Sequence, residues 1–195
     1  MTQPVTRTMS PEDAAALAES GTGHHARLRS LIRDIPDYPK PGILFKDITP
    51  LLGDAEGFAL ATRLMAAPFS KARVTHVVAI ESRGFIFGAP VAQQLGAGFV
   101  PVRKPGKLPS KRLREEYALE YGTDALEMHD DALGPGARVL IVDDVLATGG
   151  TAAATCRLVE SLGATAVGFS FLLALTFLPG VERLAGREVS ALLTY

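Results

Sequence analysis

Apolar positions along this chain follow two rhythms that take turns. Val74–Ile80, Gly98–Val102, Arg138–Val142 and residues 166–173 are short runs rich in branched and aromatic side chains, the pattern of strands buried on both faces. Between and beside them, residues 54–67, Gly84–Leu95 and Gly150–Leu162 carry apolar side chains at helical spacing. Strand and helix in this alternation predict an α/β fold, with a central, mainly parallel sheet flanked by helices.

The pattern differs toward the N-terminus. Ser10-Pro11-Glu12 combines a hydroxyl cap, a proline at the first helical position and an acid in the first turn, which predicts a short helix ending near Gly21-Thr22-Gly23. A second helix is expected over about His25–Asp34, with Leu28, Leu31, Ile32 and Ile35 on one face. Residues 36–50, PDYPKPGILFKDITP, carry four prolines and read as an ordered loop. Residues 103–129 are charged and partly alternating (Tyr117, Leu119, Tyr121), predicting a β-excursion or flap. The expected organisation is an N-terminal extension with a short helix over 1–25 and one domain over 26–195. Within that domain a hood occupies about 26–50 and a flap about 103–122.

Composition narrows the function classes. The chain has 195 residues, 47% of them apolar, enough for one domain with its own core. Its 20 Lys+Arg balance 21 Asp+Glu to a net charge of -1, unlike a protein that coats nucleic acid or an anionic membrane. A lone cysteine, Cys156, excludes an intrachain disulfide framework and a multi-cysteine zinc site, and fits a reducing, cytoplasmic setting. It falls inside an expected helix, where a buried small side chain is the natural reading. His24, His25, His76 and His129 show no metal-ligand spacing. The N-terminus lacks the basic start and apolar run of a signal peptide. Ser161–Val181 has no charge over 21 residues, but Gly163, Gly168 and Pro179-Gly180 interrupt it, so a buried strand is expected and no membrane span. Gly21–Ala26 fits the GxGxxA dinucleotide spacing, yet no strand precedes it, and it reads as a turn between helices.

The chemistry concentrates in Arg138-Val-Leu-Ile-Val-Asp-Asp-Val-Leu-Ala-Thr-Gly-Gly-Thr151. An apolar strand is expected to end in Asp143 and Asp144, followed by a Thr/Gly loop where a helix begins. Ligands of parallel sheets bind beyond the carboxyl ends of strands, and helix N-termini attract anions. The loop should therefore hold a phosphate, with the paired acids placed to accept hydrogen bonds from sugar hydroxyls. A phosphate and a diol on one strand–loop–helix describe a ribose 5-phosphate.

This stretch resembles the binding motif for 5-phosphoribosyl-1-pyrophosphate (PRPP) of the type I phosphoribosyltransferase family. Four further blocks narrow the resemblance to its adenine-specific branch: Asp37–Pro50, Glu81–Gly88, Val102–Pro109 and Leu119–Gly122, in the family's order, the likeness covering roughly 27–195. The resemblance implies the type I fold with its hood and flexible β flap. It also implies transfer of ribose 5-phosphate from PRPP to N9 of adenine, giving AMP and pyrophosphate with Mg²⁺ in purine salvage, by a homodimer. The alternatives are a PRPP-binding regulator and a phosphoribosyltransferase for another base.

Carried over residue by residue, the resemblance makes Glu120, Asp143 and Asp144 the catalytic candidates, with Glu120 placed to take the N9 proton. Ala147, Thr148, Gly149, Gly150 and Thr151 match the 5-phosphate loop. Arg83, Arg103, Lys104, Lys107 and Tyr121 match the pyrophosphate site. Leu44, Phe45, Lys46, Arg83, Ala147 and Leu175 match the adenine pocket. No direct protein ligand to the metal is implied; Mg²⁺ would be held through PRPP, with water to Asp143 and Asp144. Glu81-Ser82 matches a place where the family often has a cis peptide. Lys46 and Ala174 depart from the family's usual arginine and glutamate. The basic residues Arg103, Lys104, Lys107, Lys111, Arg112 and Arg114 fall within twelve positions free of acids, a local positive run hidden in a neutral total.

Overall fold

The structure is a computed structural model and describes residues 21–118 and 123–195. The helix expected from Ser10 lies outside the described residues. In chain order the elements are α1 (Gly21–Ser30), β1 (Arg33–Pro36), β2 (Leu44–Asp47), α2 (Thr49–Gly53), α3 (Ala55–Ala66), β3 (His76–Ile80), α4 (Gly84–Leu95), β4 (Gly98–Val102), β5 (Arg112–Ala118), β6 (Thr123–His129), β7 (Arg138–Leu146), α5 (Gly150–Ser161), β8 (Thr165–Ala174), α6 (Gly180–Arg183) and β9 (Val189–Thr194), with a 3₁₀ turn at Ala67–Phe69.

Five strands form one parallel sheet in the order β4-β3-β7-β8-β9. The order explains the runs of apolar residues, because the inner strands are covered on both faces. Along β7 successive side chains alternate between two cores. Val139 and Ile141 join Phe169, Phe171, Leu158 and Val159, whereas Leu140 and Val142 join Leu172, Met65 and Phe87. The chain leaves β3 for β4 on one side and returns to β7 on the other. The reversal opens a crevice at the carboxyl ends of β3 and β7, the place where such sheets bind ligands. The apolar stretch after Ser161 is the buried strand β8, and no helix of the described residues is long and apolar enough to cross a membrane.

The alternation of strands and helices from residue 54 onward matches the expectation closely, with Asp54 accepting from Gly57 N at 2.6 Å to cap α3. Two expectations need correction. The first concerns α1, which spans Gly21–Ser30 and includes the Gly-Thr-Gly-His-His segment read as a turn, in place of a helix over 25–34. Residues 33–36 instead pair with 44–47 in a two-stranded antiparallel sheet, with Ile35 opposite Phe45. The second is that segment 36–50 is not all loop. Its prolines fall where a missing amide hydrogen is tolerated: Pro36 at a strand end, Pro39 and Pro41 in the hairpin connection, Pro50 in the first turn of α2. The β-excursion is the antiparallel pair β5–β6. β9 and α6 carry no periodic signal strong enough to be expected from sequence.

Helix α4 lies close against β3 because Gly88 presents no side chain. A Cβ there would overlap that of Ala79 and sit 3.1 Å from Phe99 Cε2. Gly88→Ala should therefore cost about 1–3 kcal/mol of stability, as overpacking does, read as a lower denaturant midpoint at unchanged slope.

Candidate active site

The crevice is built outward from β7. This strand continues past the acids, pairing Asp143 with Phe171 and Leu146 with Ala174, so the expected strand end at Val142 is corrected to Leu146. Extended backbone sends neighbouring side chains to opposite faces. Asp143 borders a cavity of about 70 Å³ shared with Ala147, Thr148, Gly149 and Thr151. Asp144, only 5% exposed, lies against Arg83.

Both carboxyls are pushed above the usual carboxylate range. Burial is the main cause for Asp143, reinforced by the charge of Asp144 and opposed by the Asp144 N–H, which donates to Asp143 Oδ1 at 2.9 Å. Burial also raises Asp144, with the Arg83 charge pulling the other way. Arg83 Nε is 2.8 Å from Asp144 Oδ2 but not aligned as a donor, so among the described residues this buried oxygen has no hydrogen bond. Gly84, which opens α4, also crowds the pair; a Cβ on it would lie 2.7 Å from Asp143 Oδ1.

The loop after β7 turns on Gly149, whose φ of 74° is left-handed backbone that suits glycine. A Cβ there would sit 2.8 Å from the carbonyl oxygen of Gly180, so the loop packs backbone to backbone on the turn into α6. No side chain caps α5, which leaves its first amides and the positive end of its dipole directed at the loop. Leu175 N donates to Leu146 O at 2.9 Å, holding Leu175 beside the same loop.

The β3 side supplies cations. The Glu81-Ser82 peptide is cis. Arg83 follows it and reaches both Asp144 and the Phe45 ring, 5.6 Å from the ring centroid. Arg103 Nε donates to Glu81 Oε2 at 2.8 Å and Lys104 N to the same oxygen at 3.0 Å; the guanidinium holds Glu81 below the usual range against its burial. The Lys104 ammonium pairs with Asp124, whose carboxylate also accepts from Tyr117 Oη at 3.1 Å. Burial is the largest single influence on that ammonium and works against it, but Asp124 and Tyr117 together outweigh it and raise the pKa. Glu127, 3% exposed, accepts from Gly106 N at 3.0 Å and is ion-paired with Arg112, whose Nε is 3.0 Å away, tying the 103–107 loop to the β5–β6 hairpin. Lys107 stands exposed near the Glu81 charge.

Of the residues expected in the site, Asp143, Asp144, Ala147–Thr151, Arg83, Phe45 and Leu175 thus surround the crevice, and Arg103 and Lys104 join it through Glu81. Leu44 is exposed at the start of β2. The Lys46 side chain is engaged elsewhere: its ammonium is 2.6 Å from Asp34 and 4.1 Å from the Tyr195 ring centroid. Glu120 and Tyr121 lie outside the described residues. Sequence reading did not single out Asp124, Glu127 or Tyr195. Each acid looks like any other in an acidic stretch, and no local spacing marks a tyrosine that meets α1 and β2 only in the fold.

The raised native pKa of Asp143 means that the folded protein binds more protons than the unfolded chain between the two values, so this group lowers stability as pH rises through that window. Asp143→Asn should raise the melting temperature of the protein without ligand or Mg²⁺ at neutral pH. The gain should shrink toward pH ~4, the ordinary Asp range. Melting curves across pH check it.

Residues 53–186 match the Phosphoribosyl transferase domain. An adenine phosphoribosyltransferase of Myxococcus xanthus is 58% identical over 170 residues, 87% of this chain and 92% of that protein. The crystal structure of the Rhodothermus marinus adenine phosphoribosyltransferase superposes with a TM-score of 0.85 at 55% identity, covering 89% of this chain and 99% of that one. The Saccharomyces cerevisiae enzyme, complexed with an imino-altritol bisphosphate and adenine, superposes with a TM-score of 0.82 at 38% identity, covering 88% and 99%. On sequence and fold alike, the chain belongs to the adenine phosphoribosyltransferases, a branch of the phosphoribosyl transferase family.

Proposed function

We propose that this chain transfers ribose 5-phosphate from PRPP to N9 of adenine, releasing pyrophosphate and forming AMP. The observation that carries the reading is the junction at β7: two buried acids, then a glycine-turned loop opening on an uncapped helix. A diol and a phosphate would be recognised there on one strand–loop–helix unit. The adenine and sugar-bisphosphate analogue named for the yeast complex are of the same two chemical classes.

In this reading the first amides of α5 and the hydroxyls of Thr148 and Thr151 bind the 5-phosphate, with Ala147, Gly149 and Gly150 letting the ligand approach the backbone. Asp143 and Asp144 accept hydrogen bonds from the ribose 2′- and 3′-hydroxyls. As the C1–O bond breaks, positive charge grows on the ribose and negative charge on the pyrophosphate. Buried carboxylates beneath the sugar and cations around the leaving group stabilise both developing charges in place. Arg83, Arg103, Lys104, Lys107 and Tyr121 serve the pyrophosphate, Arg103 and Lys104 exchanging part of their hold on Glu81 and Asp124 for it. Phe45 and Arg83 offer flat faces to the purine, with Leu44, Ala147 and Leu175 around it. Lys46 contributes through its main chain, its ammonium being engaged by Asp34. Glu120 takes the N9 proton.

Magnesium fits this donor set. Asp144 Oδ2 is buried without a hydrogen bond, and burial makes both acids costly to ionise without a nearby cation or donors. Among the described residues no cluster of three or more His, Cys, Asp or Glu could enclose a metal, so the ion would be held through oxygens of PRPP, with water between it and Asp143 and Asp144. When bound, Mg²⁺ neutralises charge on the departing pyrophosphate. The protein acts in the cytoplasm as a homodimer in this reading: the lone cysteine is buried, and Ile86 on α4 and Phe99 on edge strand β4 offer apolar surface.

A purine panel with PRPP and Mg²⁺ should show AMP formation from adenine far exceeding product from guanine or hypoxanthine, and chelation with EDTA should abolish it. Guanine preferred over adenine would refute the base assignment. Glu120→Gln should lower kcat about 10²–10⁴-fold, the worth of a general base, with KM for PRPP little changed; unchanged kcat would remove Glu120 from the chemistry.

A further inference from the structure

The purine end of the site rests on two pieces of chain that do not belong to the central sheet's catalytic edge: Phe45 on the separate β1–β2 sheet and Leu175 just past β8. One residue touches the supports of both. The Tyr195 ring, half-buried against the core that includes Leu175 and Leu192, has Lys46 Nζ 4.1 Å and Arg29 Cζ 4.6 Å from its centroid. Lys46 is the immediate neighbour of Phe45, and its side chain is only 11% exposed, so little water competes for its charge. Asp34, opposite Lys46 in the hairpin register, holds the same ammonium at 2.6 Å. Arg29 on α1 adds hydrogen bonds of 3.2 and 3.1 Å to Thr194 O.

The main chain of Tyr195 grips the other wall. Its N–H donates to Ala174 O at 3.0 Å, and its main-chain oxygen accepts from Thr176 N and Thr176 Oγ1, each at 2.8 Å. These bonds straddle Leu175, whose own N–H is held by Leu146 O at 2.9 Å on the phosphate-loop side.

We propose that Tyr195 is a positioning residue for base binding: its ring clamps Lys46 and so sets Phe45, while its backbone fixes Leu175, giving the purine slot its width. The proposal rests on the adenine pocket described under the proposed function. It assigns Tyr195 no contact with substrate and no part in binding PRPP, whose proposed contacts are Arg83, Tyr121, the acids of β7, the α5 loop and residues 103–107.

The test is steady-state kinetics of four variants, with KM for adenine and PRPP measured separately. Tyr195→Leu keeps apolar bulk and loses the ring; KM for adenine should rise about five- to tenfold, as expected for losing two cation–ring contacts. KM for PRPP should stay within about twofold, since only one substrate's site is disturbed. Tyr195→Phe, which retains the ring face, should behave like the unaltered protein. Lys46→Met removes the contact from the other side and should repeat the Tyr195→Leu pattern even if that variant folds poorly. Phe45→Ala separates the two readings. If it raises KM for adenine while Tyr195→Leu and Lys46→Met do not, the positioning role is wrong and the pocket stands. If Phe45→Ala leaves KM for adenine unchanged, the pocket reading falls and the positioning role with it. A rise in both KM values for Tyr195→Leu and Lys46→Met would mark a general structural effect and overturn the proposal.

Discussion

Two carboxylates buried side by side at the end of an inner sheet strand are the constraint around which the rest of the site is organised. A low-dielectric setting makes two adjacent negative charges costly, and burial raises both pKa values here. What surrounds them opposes that cost: the Arg83 guanidinium and the Asp144 amide. The opposition is incomplete, since Asp144 Oδ2 keeps no aligned donor. A free protein left in this condition is less stable than it could be, and a ligand that brings hydroxyls and positive charge recovers the difference as binding energy. Strain of this electrostatic kind is what a site for a sugar diol and a cation would store.

The cations facing the acids are treated in the opposite way. Four of the six bases in the 103–114 run already have a carboxylate: Arg103 has Glu81, Lys104 has Asp124, Arg112 has Glu127 and Arg114 has Glu116. The fold thus hides most of the positive run evident in sequence. These pairs hold the side chains in place before an anion arrives, which lowers the ordering cost of binding. The pairs hold Glu81 and Asp124 below the usual carboxylate range, so an arriving pyrophosphate would compete with them for the same donors. Lys107 and Lys111, both exposed and outside these pairs, are the cations left most open to it.

The purine side is assembled differently again, from a two-stranded sheet that cannot stand alone. Its hold on the main body runs through α1, the Asp34–Lys46 pair and the Tyr195 ring. In the proposed reading base recognition would thereby be separated from 5-phosphate recognition at the β7–α5 junction, and such a division would let a hairpin vary base preference without disturbing the ribose and phosphate machinery.

The order of strands and helices from residue 54 onward, the β7–loop–α5 motif and the chemical class of its ligand could all be read from the sequence, because each is a local pattern: apolar runs, a Gly/Thr turn, paired acids. Their family resemblance added the reaction. Where local signals competed, the sequence was insufficient. Residues 33–36 have helical spacing, yet pairing with 44–47 satisfies their backbone more fully, and four prolines disguised a hairpin as a loop. The strand's continuation through Asp143 and Asp144 follows from ladder bonds to β8 that no periodicity displays. Which acid neutralises which base, where the Lys46 ammonium goes and what the last tyrosine holds were decided only by tertiary structure. Those contacts join residues up to 166 positions apart (Arg29 to Tyr195), and electrostatic partners are chosen by distance in space, which sequence separation does not encode.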